Sequence, residues 1–233
     1  MRSAVALIVA LTALAGGTAA QGAPAKIRQM VVYRDGSAQT KTVSTRASVV
    51  RVGGRRCTTG ARTPLAALVR ARPGTLRLRD FGSCSLRAGD GGGLFVKAIG
   101  RDANRGQNGW VYKVGRRAAT AGAADPRGPF GRGRLRRGQR LTWFYCRLRN
   151  GGCQRTLELK LQPEPGGVVA SVRGYDDEGH GVAVQRATVS AGGVSALTDA
   201  AGQASLALAS GRHLAFATKE GTIRSFAEPV ELP

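Results

Sequence analysis

Histidine is almost absent from this chain. There are two, His180 and His213, both in the last third. Residues 1–162 have none, and hold six scattered carboxylates among 31 lysines and arginines. A Ser/His/Asp or Cys/His apparatus has nothing to stand on there, so the chain reads as a non-enzyme. His180 lies in "YDDEGHG" beside Asp176, Asp177 and Glu178. Carboxylate oxygens can hold a calcium-like cation, but the spacing fits no known cation loop. The stretch therefore reads as a solvated acidic turn, with no metal assigned. "GDGGG" (89–93) and "GPFGRGRLRRG" (128–138) lack the spacing and the Lys-Ser/Thr ending of a phosphate-binding loop. No cofactor is implied. The one long apolar run, residues 4–15, is short of the roughly 20 residues a spanning helix needs.

That run is better explained as an export signal. Arg2 precedes it and Thr18-Ala19-Ala20 supplies a small-residue cleavage site, so residues 1–20 read as a secretory signal peptide. The mature protein is expected to be secreted or associated with the cell surface, with no transmembrane segment. Four cysteines in an exported chain imply two disulfides. The preferred pairing, closest in sequence, is Cys57 with Cys84 and Cys146 with Cys153. A four-cysteine zinc site is the rival, weakened by the lack of a Cys-x-x-Cys pair.

The net charge is +22, and 30 of the 36 cations are arginine. A genome rich in G and C favours arginine codons, but residues 163–233 escape the bias, with 5 cations against 8 carboxylates. That asymmetry marks a domain boundary. The Pro/Gly-rich "QPEPGG" (162–167) reads as the join, with 163–167 as linker between domains at about 25–162 and 168–233. In the first domain "MVVYRDGSAQTKTVS", "ASVVRV", "TLRLRDFGSC", "LFVKAIG", "GWVYKVG", "QRLTWFYCRL" and "RTLELKL" read as strands. Thr63 as N-cap, Pro64 at the first position and Pro73-Gly74 as the stop predict a two-turn helix. Asn150-Gly151 suits a hairpin turn between the last two strands, unless a Cys146–Cys153 disulfide widens that connection to a loop over 147–152. Residues 115–138 form a long Gly/Arg/Pro loop, of the kind usually functional or mobile. Five or six short alternating runs beyond the linker predict a small β-sandwich. The fold class is mainly β: a disulfide-bonded α+β domain with one short helix, then an Ig-like sandwich.

The ordered motifs "RTPLAALVR", "LFVKAIG", "NGWVYKVG" and "LRRGQRLTWFY" resemble the small β domain that ends the transcobalamin and intrinsic-factor vitamin B12 carriers. That domain also occurs in many uncharacterised bacterial exported proteins. The resemblance covers about 120 of 233 residues and does not extend to the large helical domain of the carriers, which clamps cobalamin against the small one. The frequent Val-Asn-Gly continuation is Val114-Gly115-Arg116 here. What the resemblance implies is a fold, with a corrinoid as one flat ligand to test. Residues 166–233, with "TDAAGQ" as a turn between alternating strands, resemble bacterial Ig-like and carboxypeptidase-regulatory-like modules. Such modules usually act as spacers.

Aromatics are only 5% of the chain, yet both tryptophans sit in the same Trp-x-Tyr device. Strand alternation puts Trp110, Tyr112 and Val114 on one face, with Val111 and Lys113 on the other. It likewise puts Trp143 and Tyr145 opposite Phe144 and Cys146. The Trp/Tyr face is either the main core, which is the preferred reading, or partly open to stack a flat ligand. Arg127, Arg132, Arg134, Arg136 and Arg137 form the candidate anion-binding set, since the guanidinium fork grips phosphate or carboxylate. The expected function is an exported binding protein for a small flat ligand or an anionic envelope polymer. The alternative is a structural or adhesive surface protein held by charge. Nucleic acid enters only as a non-specific polyanion.

Overall fold

The computed structural model describes residues 23–233, so the segment read as an export signal lies outside the described residues. Among the described residues no helix is long and apolar enough to cross a membrane. The described residues are mainly β, with one α-helix among them and both disulfides of the preferred pairing, Cys57–Cys84 and Cys146–Cys153.

The amino-terminal module comprises β1 (Lys26–Val32), β2 (Ala38–Ser44), β3 (Ser48–Val52), β4 (Arg55–Thr59), α1 (Pro64–Ala71), β5 (Leu76–Asp80), β6 (Leu94–Ile99), β7 (Asp102–Ala103), β8 (Gly109–Val114), β9 (Arg117–Ala118) and β10 (Arg140–Cys146). Its central sheet runs β2-β1-β10-β8-β9, with β1 parallel to β10 and the other pairings antiparallel. Two smaller sheets, β3-β4 and β5-β6-β7, complete it. The helix forms where its signals place it. Thr63 Oγ1 accepts the Ala66 N–H at 3.2 Å, Pro64 opens the first turn, and Arg72 ends it in the left-handed region before Pro73. Leu65 and Leu68 are fully buried in the same apolar cluster as Ile27, Trp143 and Leu141.

The carboxy-terminal module comprises β11 (Thr156–Glu164), β12 (Gly167–Tyr175), β13 (Gly181–Ala183), β14 (Thr188–Ala191), β15 (Val194–Leu197), β16 (Gln203–Ala207), β17 (Gly211–Thr218) and β18 (Glu228–Leu232). One sheet holds β11, β12, β13 and β16, and the other runs β15-β14-β17-β18. Alternate residues such as Val168, Ala170 and Val172 meet Val189, Ala215 and Val230 in a shared core, the sandwich that the alternation predicts.

The boundary differs from the expected one. Residues 163–167 are not a linker. Glu164 pairs with Gly167, so Pro165-Gly166 is the tip of a β11–β12 hairpin inside the sandwich. Proline and glycine mark a tight turn as readily as a tether. Nor does β10 pair with β11: β10 lies between β1 and β8, while β11 pairs with β12. Asn150 and Gly151 do form a tight left-handed turn, closed by an Arg149–Gly152 bridge, but it folds only the crossing between modules. The Cys146–Cys153 disulfide pins that crossing. With the boundary near 155 the charge division persists, at 30 cations against 5 carboxylates and then 6 against 9.

Part of that acidity is spent across the junction. Glu228 takes both Arg28 and Arg140, and the Arg116 fork grips Glu158 at 2.6 and 2.8 Å while stacking on Tyr175. Beneath these, Met30, Val32, Phe144 and Cys146 pack against Ile223 and Phe226 in a third apolar cluster. The second face of the central sheet is therefore covered by the other module.

Candidate functional site

The two Trp-x-Tyr strands are antiparallel neighbours in a register that sets Trp143 opposite Tyr112 and Tyr145 opposite Trp110. Each tryptophan thus meets the other motif's tyrosine. Tyr112 and Trp143 lie 4.9 Å apart and tilted, whereas Trp110 stands edge-on to Tyr145 and to Tyr33, each at 6.0 Å. Such pairs contribute about 0.5–1 kcal/mol each beyond area burial. All four rings are buried in the main core, the reading preferred from sequence.

Their polar ends are not treated alike. Trp110 Nε1 donates to the Asp102 carbonyl at 2.7 Å, the Tyr112 hydroxyl to the Ala121 carbonyl at 2.7 Å, and the Tyr145 hydroxyl to the Ala103 carbonyl at 3.1 Å. Burial pushes the Tyr112 phenol well above its ordinary pKa, with Asp125 adding to the effect. Trp143 is 1% exposed, and its indole N–H has no acceptor among the described residues.

Burial by protein does not fill the space above these rings. A cavity of about 490 Å³ lies over Trp110, Tyr112 and Trp143. One wall is "AATAGAA" (118–124), where no side chain exceeds threonine, and Ala119, Ala121 and Ala123 line the cavity. A second wall is Gly92-Gly93 at the start of β6. A Cβ on Gly93 would lie 2.9 Å from Ser83 Oγ, so glycine there answers a close approach. This is the structural role of "GDGGG". The mouth carries Phe81 and Phe95, 62% and 45% exposed, set edge to face 6.1 Å apart, with Arg79 over the Phe81 ring at 4.7 Å. β9 pairs only with Lys113 and Val114; nearer the start of β8 the Trp110 N–H donates to Asn104 Oδ1 at 2.8 Å and the Tyr112 carbonyl accepts the Ala119 N–H at 3.2 Å. The cavity reaches round this strand to Val111, Cys153 and Asp177.

The structure therefore joins Trp110, Tyr112 and Trp143 at one cavity and leaves Tyr145 out of the lining. It also brings in Phe81, Phe95 and the alanine wall, which sequence reasoning did not single out. Exposed phenylalanines carry no periodic signal, and a run of small residues reveals an empty volume only once its neighbours are placed.

The arginine set is less unified. Arg127 is held by Asp125 at 3.2 Å, and the Arg134 Nε–H donates to the Pro126 carbonyl at 2.7 Å. Arg132, Arg136 and Arg137 are exposed, without an ion-pair partner among the described residues. The long segment that bears them is tied down: Leu135 is fully buried and the Ala123 carbonyl accepts the Leu65 N–H at 2.8 Å. Asp176, Glu178 and His180 do converge, with ligand atoms within 4.8 Å. However, Asp176 Oδ1 accepts the His180 backbone N–H and Oδ2 faces Arg155 at 3.6 Å, the bonding of a closed turn.

Comparison with known protein families, characterised proteins and solved structures finds no match to this chain.

Proposed function

We propose that this chain is an exported, non-catalytic binding protein whose amino-terminal module holds a small, flat, largely apolar ligand in the cavity over Trp110, Tyr112 and Trp143. One observation carries the reading: an apolar space of about 490 Å³ with an aromatic floor and two exposed phenylalanines at its mouth. That volume falls in the range of small-molecule sites. Exposed aromatic rings cost free energy in water unless something covers them.

The test is a titration of intrinsic tryptophan fluorescence with a panel of planar ligands that includes corrinoids. Both tryptophans line the cavity, so occupancy should quench or shift the emission. Ala119→Leu, which narrows the cavity from its wall, should abolish the response while leaving the far-ultraviolet circular dichroism unchanged. Absence of any spectral response across the panel would count decisively against the proposal.

The second reading is electrostatic retention on an anionic envelope polymer, favoured by the exposed Arg132, Arg136 and Arg137 of the strongly basic module. It is compatible with the first, since these arginines lie outside the cavity lining. Extraction of envelopes over rising salt tests it; retention indifferent to salt would sink it.

A further inference from the structure

A second cavity, of about 440 Å³, lies where β3, β5 and the end of α1 meet. β3 pairs only with β4 and β5 only with β6, so no ladder closes the gap between them. The lining is aliphatic. Leu68 is fully buried, while Val50, Val69, Leu76 and Leu78 stay half-buried along the cavity. Apolar side chains left partly in water at one place favour an apolar guest that covers them. No aromatic ring and no carboxylate line this space. Its only charged lining residues are Arg51 and Arg72, both exposed and without an ion-pair or side-chain hydrogen-bond partner among the described residues. The nearby negative groups are already taken. Asp80, at the end of β5, faces Arg55 at 3.8 Å and accepts the Ser83 N–H at 2.8 Å. The Ala71 carbonyl, at the negative end of the α1 dipole, accepts Lys41 Nζ at 2.8 Å.

We infer that this cavity is a second binding site, for a single-chain alkyl carboxylate. The chain lies along Val50, Leu68, Val69, Leu76 and Leu78, and the carboxylate stays at the mouth with Arg51 and Arg72. Such a guest leaves water only with its tail, so its charge is paired without being buried. A neutral chain would leave both arginines unused. A bare anion would leave the aliphatic wall in water, and a planar aromatic molecule finds no ring to stack on. The volume is that of a small-molecule site, which suits one free amphiphile rather than a bilayer surface. This site shares no lining residue with the cavity over Trp110, Tyr112 and Trp143, and it does not depend on the reading of that cavity.

Octanoate, hexanoate, acetate and octanol make the test, each titrated into the wild-type protein and followed by nuclear magnetic resonance of the methyl groups. Octanoate should move the Val50, Val69, Leu76 and Leu78 methyl signals. Burial of each methylene should strengthen binding about fourfold from hexanoate to octanoate. Acetate binding as tightly as octanoate would reduce the effect to general attraction by a basic surface and overturn the inference. So would the absence of binding by octanoate. The charged head should make octanoate bind about tenfold more tightly than octanol. That gap should close in the double variant Arg51→Gln with Arg72→Gln; a gap that survives overturns the role of the two arginines and with it the site. Location is read on the wild-type protein alone, whatever the variant does. Both tryptophans line the other cavity and none lines this one, so octanoate should leave the two indole N–H signals in place. Indole shifts without the methyl shifts would put the chain in the other cavity and overturn the inference.

Discussion

Lys113 Nζ lies 3.2 Å from Asp177 Oδ1, and this pair joins the two modules from within. Lys113 is fully buried, on the face of β8 opposite the cavity floor. Its ammonium also donates to the Tyr175 and Asp176 carbonyls, at 3.1 and 2.7 Å, at the end of β12. Asp177 Oδ2 accepts the Cys153 N–H at 3.0 Å, so one carboxylate ties together the lysine, the disulfide and the sandwich. Burial lowers the lysine pKa from its ordinary value, against the pull of Asp177. Removing one member of a buried pair strands the other, whereas removing both strands neither. Lys113→Met should cost about 3–5 kcal/mol in urea unfolding. Lys113→Met combined with Asp177→Asn should cost clearly less than the sum of the single changes. Strict additivity would show that the two residues do not interact.

Gln29 sets up the opposite expectation. It sits on β1 between Ile27 and Val31, at 1% exposure, and neither its amide nitrogen nor its oxygen has a partner among the described residues. Gln29→Leu removes two buried polar atoms at nearly constant volume. Stability should rise by about 1–2 kcal/mol, read as a higher denaturation midpoint at unchanged slope.

The Arg116–Glu158 fork makes junction stability depend on pH. Hydrogen bonds from Arg116 hold the Glu158 carboxyl below the usual glutamate range. A depressed folded-state pKa means that the pair's contribution is fully present above the unfolded value and is lost as pH falls through the folded one. Arg116 is about half exposed, and solvent screening limits the pair to about 1 kcal/mol. Glu158→Gln should therefore destabilise at neutral pH and match wild type in strong acid. A gap that persists at low pH would assign the effect to packing instead.

The disulfides should differ in worth. Cys57–Cys84 closes a loop across 27 residues of sequence separation, against 7 for Cys146–Cys153. Chain entropy gives about 3.5 and 2.5 kcal/mol respectively. Thermal unfolding of the two double-alanine variants should rank them in that order. The reverse order would mean that the crossing between modules contributes more than its loop length.

Arg132, Arg136 and Arg137 should govern attachment to polyanions. Replacing all three by alanine should lower the slope of log affinity for heparin against log salt by about two to three. An unchanged slope would place the contacts elsewhere on the basic module.

Local chemistry in the sequence was enough to determine several of these features. A threonine cap, a proline at the first turn and a proline stop define α1, because each acts on backbone within a few residues. The disulfide pairing preferred on cysteine spacing is the one that forms, and strand alternation puts Trp110 with Tyr112 and Trp143 with Tyr145 on one face of each strand. Sequence could not say what lies against each face. Whether "QPEPGG" is a tether or a hairpin tip depends on whether the flanking segments pair, which is a non-local event. The destination of Lys113 depended on a module whose docking is invisible in local pattern. Only the tertiary structure decided that the sheet is covered on one side by the sandwich and that a cavity lies beside the core packed on the other, because an unfilled volume belongs to no residue. It arises where alanines and glycines from separate segments face aromatic rings and leave the space between them open.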